Sequence, residues 1–145
     1  MPILEQVLEQ YPGEVKVVFK NFPLRSHRFA LQAATAALAA GSLGKFWEFH
    51  DLLFENYNQL NDQKIRDISR SLGFDEVEFE KKMKDPAVQG QIRQDVLDGR
   101  QAGVRSTPTV FINGRLLRDR TLQGFQAAVE KELQKRGKTP AKPAS

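Results

Sequence analysis

The sequence predicts an α/β fold, a small sheet packed with helices, and three observations predict it. A β-branched run follows an N-terminal amphipathic stretch, a long central block shows only helical periodicity, and an apolar run closing on Asn113-Gly114 precedes a last amphipathic segment. With 145 residues, 40% of them apolar and ten Phe, the chain is long enough for one domain with a real core and too short for two of ordinary size. One domain is expected over 1–136, its helical block at about 25–102.

Ile3, Leu4, Val7, Leu8 and Tyr11 recur at helical spacing, and Pro12-Gly13 stops the pattern. No residue precedes this helix to cap it, so it is expected to be the remainder of a longer one. Val15-Lys16-Val17-Val18-Phe19 reads as a strand ended by Asn21-Phe22-Pro23. Ser26 is placed as the cap of a helix with a small face, Ala30, Ala33, Ala34 and Ala37, ending at Gly41. A second helix is expected from about Lys45 to Tyr57, with Phe46, Trp47, Phe49, Leu53 and Phe54 among its apolar residues. Asp62 is expected to cap Ile65 to Leu72, Asp75 a short helix with Val77, Phe79 and Met83, and Pro86 to start one through Val88, Ile92, Val96 and Leu97.

Thr109 to Ile112 is apolar at nearly every position, the pattern of a strand buried on both faces. Asn113-Gly114 favours a type I′ turn, pairing Phe111 with Leu116 and Val110 with Leu117. Thr121 is expected to cap the last helix, whose Leu122, Phe125, Val129 and Leu133 face the sheet. From Gly137 to Ser145 there is nothing to bury, and disorder is expected.

Composition removes several function classes. No apolar run approaches the roughly 20 residues that span a bilayer, and Met1-Pro2-Ile3-Leu4-Glu5 has neither the basic nor the apolar region of an export signal. The chain has no cysteine, which excludes disulfides, thiolate catalysis and thiolate metal sites while leaving the compartment open. The net charge of +4 comes from Arg105, Arg115, Arg118 and Arg120 near the hairpin and from lysines toward the end. Without a motif or interleaved exposed aromatics this reads as a solvated basic face, not a nucleic-acid site.

The residues also carry a resemblance. Phe22-Pro23-Leu24, then His27 and the alanine helix, then the helix of Lys45 to Asp51, then Gly103-Val104-Arg105-Ser106-Thr107-Pro108-Thr109-Val110-Phe111-Ile112-Asn113-Gly114 resemble, in this order, the DsbA-like branch of thioredoxin-fold thiol-disulfide oxidoreductases. The resemblance runs from Ile3 to the last helix. It implies a thioredoxin core with a helical insertion and without its first β-strand, and a family that usually works outside the cytoplasm. It also implies that Pro108 is a cis-proline, and that Ser106, Thr107 and Pro108 form a loop offering backbone groups to an extended substrate segment. The family's Cys-x-x-Cys would lie a few residues before the position of Met1.

Thiol-disulfide exchange needs a thiolate, lowered in pKa by a helix N-terminus, and a second thiol to resolve the mixed disulfide. This chain has neither, so no catalytic residue is assigned and the chain is expected to be inactive in exchange. No cofactor and no metal is expected: Glu48, His50, Asp51 and Glu55 lack one-face spacing, Ser26, Ser42 and Ser106 lack a nucleophile elbow, and His27 and His50 read as packed helical histidines. Two functions follow. One is a disulfide oxidase or isomerase domain present without its catalytic end, and it is the reading favoured. The other is a non-catalytic module that binds extended peptides or partner proteins. The missing strand would lie between Val15–Phe19 and Thr109–Ile112. Unpaired backbone groups cost about 1–3 kcal/mol each when buried, against a domain stability of about 5–15 kcal/mol. Self-association through these edges, or collapse of the two strands onto each other, is therefore expected.

Overall fold

The structure, a computed structural model, describes residues 2–138. These divide into two compact units, one formed by the chain up to Phe19 together with residues from Ser106 onward, the other by Lys20–Arg105. Seven α-helices and one two-stranded sheet are present among the described residues.

The first unit begins with α1 (Pro2–Gln10), which buries Val7 and brings Tyr11 just beyond its end into the core. The hairpin of β1 (Phe111–Ile112) and β2 (Arg115–Leu116) and the helix α7 (Leu122–Lys135) complete it. Val7, Tyr11, Phe125, Val129 and Leu133 form its core, with Ile112, Val110 and Leu117 packed against them. Thr121 caps α7 by accepting the Gly124 N–H at 3.2 Å. The expected register is found: Phe111 faces Leu116, and Leu117 N–H donates to Val110 O at 2.8 Å. Asn113 at φ 46° and Gly114 at φ 78° make the turn through two positive-φ residues, as a type I′ turn requires.

Tyr11 is tied across this core. Its hydroxyl donates to Glu130 Oε1 at 3.0 Å, and burial, reinforced by that carboxylate, pushes the phenol from 10.0 up to about 12. A phenol held protonated in this way stabilises the fold fully below pH 10, and the contribution is lost as pH rises from 10 through 12. Titration of the phenolate absorbance should therefore show one of the two tyrosines ionising near 12, and Tyr11→Phe should remove that phase. A single phase near 10 in the folded protein would contradict this packing.

The second unit is helical. It consists of α2 (Ala30–Ser42), α3 (Phe46–Glu55), a 3-10 turn at Tyr57–Gln59, α4 (Asp62–Ser71), α5 (Glu76–Met83) and α6 (Pro86–Gln101). Ala36, Ala39 and Ala40 of α2 are fully buried, and their small side chains admit α3 and α5 close to the α2 backbone. Phe49 of α3 is fully buried and stacks on Phe79 of α5, centroids 5.5 Å apart, with Ile65 and Ile68 of α4 completing the cluster. Asp75 and Asp85 cap α5 and α6, their carboxylates accepting the N–H of Glu78 and of Ala87, each at 2.9 Å.

Several expectations are corrected. Val15–Phe19 forms no strand: the ladder found among the described residues joins β1 to β2. The two strand segments have accordingly not collapsed onto each other. Thr109–Ile112 is not buried on both faces; β1 is two residues long and Phe111 is 39% exposed, because only one side of the hairpin meets α1 and α7. Ser26 does not cap α2. Two turns come first, with His27 N–H donating to Leu24 O and Ala30 N–H to His27 O, so α2 starts at Ala30 and His27 sits in an exposed turn instead of a helix. Asn61, not Asp62, caps α4 by accepting the Lys64 N–H at 2.7 Å. On α3, whose apolar residues the sequence assigns to no face, the buried stripe passes through Phe49, His50 and Leu53, with Trp47 and Phe54 exposed. At the C-terminus, Gly137 at φ 69° and the bond from Lys138 N–H to Leu133 O close α7, and Lys138 Nζ pairs with Glu14 at 2.7 Å. Residues 139–145 of the expected tail lie outside the described residues.

Candidate functional site

Ser106, Thr107 and Pro108 are all exposed, and the Thr107–Pro108 bond is cis. The loop is shaped by two bonds. Thr109 Oγ1 donates to Ser106 O at 2.6 Å, closing the turn from within, and the Arg120 guanidinium donates to Pro108 O. Neither the N–H nor the C=O of Thr107 has a hydrogen-bond partner among the described residues. Thr107 is thus an exposed residue on a backbone held by these two bonds.

Arg120 reaches the loop because the segment before α7 is itself held. Asp119 accepts the Thr121 hydroxyl at 2.7 Å and the Thr121 N–H at 3.0 Å. These bonds, the hydroxyl first, hold the Asp119 carboxyl below its ordinary range. A Cβ on Gly124 would sit 2.1 Å from Asp119 O, so only glycine lets the first turn of α7 approach this segment. On the other side, the Asn113 amide at the hairpin tip donates to Glu132 Oε2 at 3.3 Å, and Lys135 pairs with the same carboxylate at 2.7 Å. Lys135 and then Asn113 lower the Glu132 pKa.

The loop is legible in the sequence and its brace is not. Arg120 reads as one member of a solvated basic face, and nothing local marks it as the partner of a carbonyl twelve residues earlier. Gly124 offered the one usable signal, a glycine inside the first turn of an otherwise regular helix. The three loop residues lie together as expected. Within the helical unit, His27 lies in its exposed turn, and His50 is buried on α3 with Nδ1 3.2 Å from Asp51 Oδ1. Burial pushes the His50 imidazole below its ordinary pKa against the opposing pull of Asp51. Among the described residues, no group of three or more His, Asp or Glu side chains is placed to hold a metal ion.

A thioredoxin family model matches residues 2–131. Among curated proteins, Na(+)/H(+) antiporter NhaA 3 of Salinispora tropica is 36% identical over 115 residues, which make up 79% of this chain and 18% of the antiporter. Na(+)/H(+) antiporter NhaA 1 of Salinispora arenicola is 33% identical over 115 residues, with the same 79% and 18% coverage. The chain spans less than a fifth of the length of these relatives. Among solved structures, the thiol-disulfide exchange protein alpha-DsbA2 from Wolbachia pipientis matches with a TM-score of 0.79 and 28% identity, over 90% of this chain and 72% of that one. A thioredoxin-like oxidoreductase from Silicibacter pomeroyi matches with a TM-score of 0.72 and 23% identity, over 92% and 81%, a likeness of fold alone.

Proposed function

The chain belongs to the thioredoxin family, with the fold of its DsbA-like thiol-disulfide oxidoreductases, and from that membership we propose that these 145 residues keep the polypeptide-binding half of the family's site without its redox half. The observation that carries the proposal is a braced, exposed Ser106-Thr107-Pro108 loop in a chain with no cysteine. Exchange transfers a thiolate's electron pair to a disulfide sulfur, and no hydroxyl of this chain replaces that nucleophile. Ser106, Thr107 and Pro108 are then the substrate-binding residues, with Thr107 pairing to an extended polypeptide and Arg120 holding the loop's carbonyl away from it. Antiport forms no part of the proposal. The matched segment is a small fraction of those transporters, and no helix of the described residues is long and apolar enough to cross a membrane.

Two measurements test this reading. In an insulin-reduction or scrambled-ribonuclease assay the chain should not exceed a buffer blank, whereas a version extended by a β-strand and Cys-x-x-Cys before Met1 should. Titration with an unfolded, alkylated polypeptide should shift the amide resonances of Ser106, Thr107 and Thr109, and Thr107→Arg should abolish those shifts. Exchange activity in the chain itself, or shifts confined to other residues, would refute it.

Self-association belongs to the same proposal. Phe111 is 39% and Leu116 53% exposed on the hairpin, and Val18 64% on the segment that lacks a ladder. These apolar edges in one unit suit pairing with a second copy. Light scattering on a size-exclusion column should give a dimer or larger species. A stable monomer with a cooperative thermal transition would reject self-association.

A further inference from the structure

The helical unit carries a groove of its own. It has a volume of about 530 Å³ and lies between the turn that precedes α2 and one face of α6. On α6, Arg93, Val96, Leu97 and Arg100 fall at i, i+3, i+4 and i+7, a single stripe with a guanidinium at each end and aliphatic side chains between. The facing turn contributes Arg25 and Arg28, all four arginines being exposed. Leu31, 53% exposed, and Leu97, 50% exposed, leave the floor open to solvent.

Among the described residues none of the four arginines has a carboxylate within ion-pair distance. The carboxylates of α6 itself are turned elsewhere: Asp95 accepts from Asn21 and Gln91, and Asp98 from Lys20 and Gln94. Arg28 lies over the Phe29 ring at 5.3 Å, and an apolar floor between guanidinium groups that have no carboxylate partner among the described residues is complementary to a partner that is apolar along one face and acidic on both flanks of it. Arg93 and Arg100 are separated by two helical turns, about 10.5 Å at 1.5 Å per residue. Carboxylates seven residues apart on a docked helix match that spacing.

We propose that this groove docks an acidic amphipathic helix of a partner protein, with apolar side chains on Leu31, Val96 and Leu97 and carboxylates on the four arginines. The test uses the full chain and a fluorescent synthetic peptide with a leucine row at i, i+3, i+4, i+7 and glutamates flanking it. Anisotropy should show binding that weakens with salt. The double variant R93E/R100E should weaken it by about tenfold or more, and a peptide with lysines in place of the glutamates should prefer that variant over the parent. R25E/R28E tests the opposite wall independently, and an unchanged melting temperature in either variant certifies the fold. Binding that ignores both charge reversals would overturn the proposal, as would equal binding of a scrambled peptide of the same composition. So would sedimentation of the chain with phosphatidylglycerol vesicles when the peptide does not bind, which would assign the groove to a membrane surface.

Discussion

Replacing Asp95 with Ala should destabilise the protein by about 3–5 kcal/mol, the loss expected when one partner of a buried, hydrogen-bonded charge is removed. Asp95 is 2% exposed on α6, and Oδ2 accepts both the backbone N–H and the side-chain Nδ2 of Asn21, each at 2.9 Å. Oδ1 accepts Gln91 Nε2 at 2.8 Å and lies 3.6 Å from Lys20 Nζ. Asn21 is itself 4% exposed, so deletion of the carboxylate strands two donors where water has little access. Each stranded donor costs about 1–3 kcal/mol. Asp95→Asn should cost less than Asp95→Ala, because one amide oxygen still serves Asn21, although its NH2 then meets the donors of Gln91 and Lys20. Urea unfolding of the two variants beside the parent protein checks the order; equal and small losses would mean that Asp95 does not anchor this segment.

Phe49→Ala should cost a similar amount, about 3–5 kcal/mol, for a different reason. Phe49 is fully buried between α2 and α5, its ring stacked on Phe79, which stacks in turn on Phe74 at 5.5 Å. The neighbouring wall is built from alanines of α2, whose side chains are too short to collapse into the space vacated by a phenyl ring. A cavity therefore persists and its cost adds to the lost transfer energy. Val77→Ala on α5 is the control, since Val77 is 78% exposed and its truncation should change stability by no more than about 0.5 kcal/mol. Thermal or urea denaturation that failed to separate the two variants would contradict this placement of the core.

The elements most legible in the sequence are those specified by local chemistry. Asp75, Pro86 with Asp85 before it, Thr121 and the Asn113-Gly114 turn each impose a backbone conformation within about four residues, and each is found where it is expected. At Ser26 the start of α2 is set by two successive turns, Leu24–His27 and His27–Ala30, after which the helix begins at Ala30. Val15–Phe19 has the composition of a strand but takes no part in a ladder among the described residues. β-propensity describes a fit to a neighbouring strand, and the sheet among the described residues offers these residues none.

The same division holds at the candidate site. From the sequence alone come the family, the thioredoxin-like fold with its helical block, the position of the proline loop and the absence of any thiol, because motif order and composition are properties of the chain. Tertiary structure alone decides that Arg120 braces Pro108, that Gly124 admits the Asp119 segment, that Asp95 carries the weight of Asn21, and that four arginines surround one apolar groove. Each of these joins residues on separate elements or loops, and the Asp95–Asn21 pair is 74 positions apart. Such pairings leave no periodicity in the sequence, and their strength depends on burial that exists only once the helices have packed.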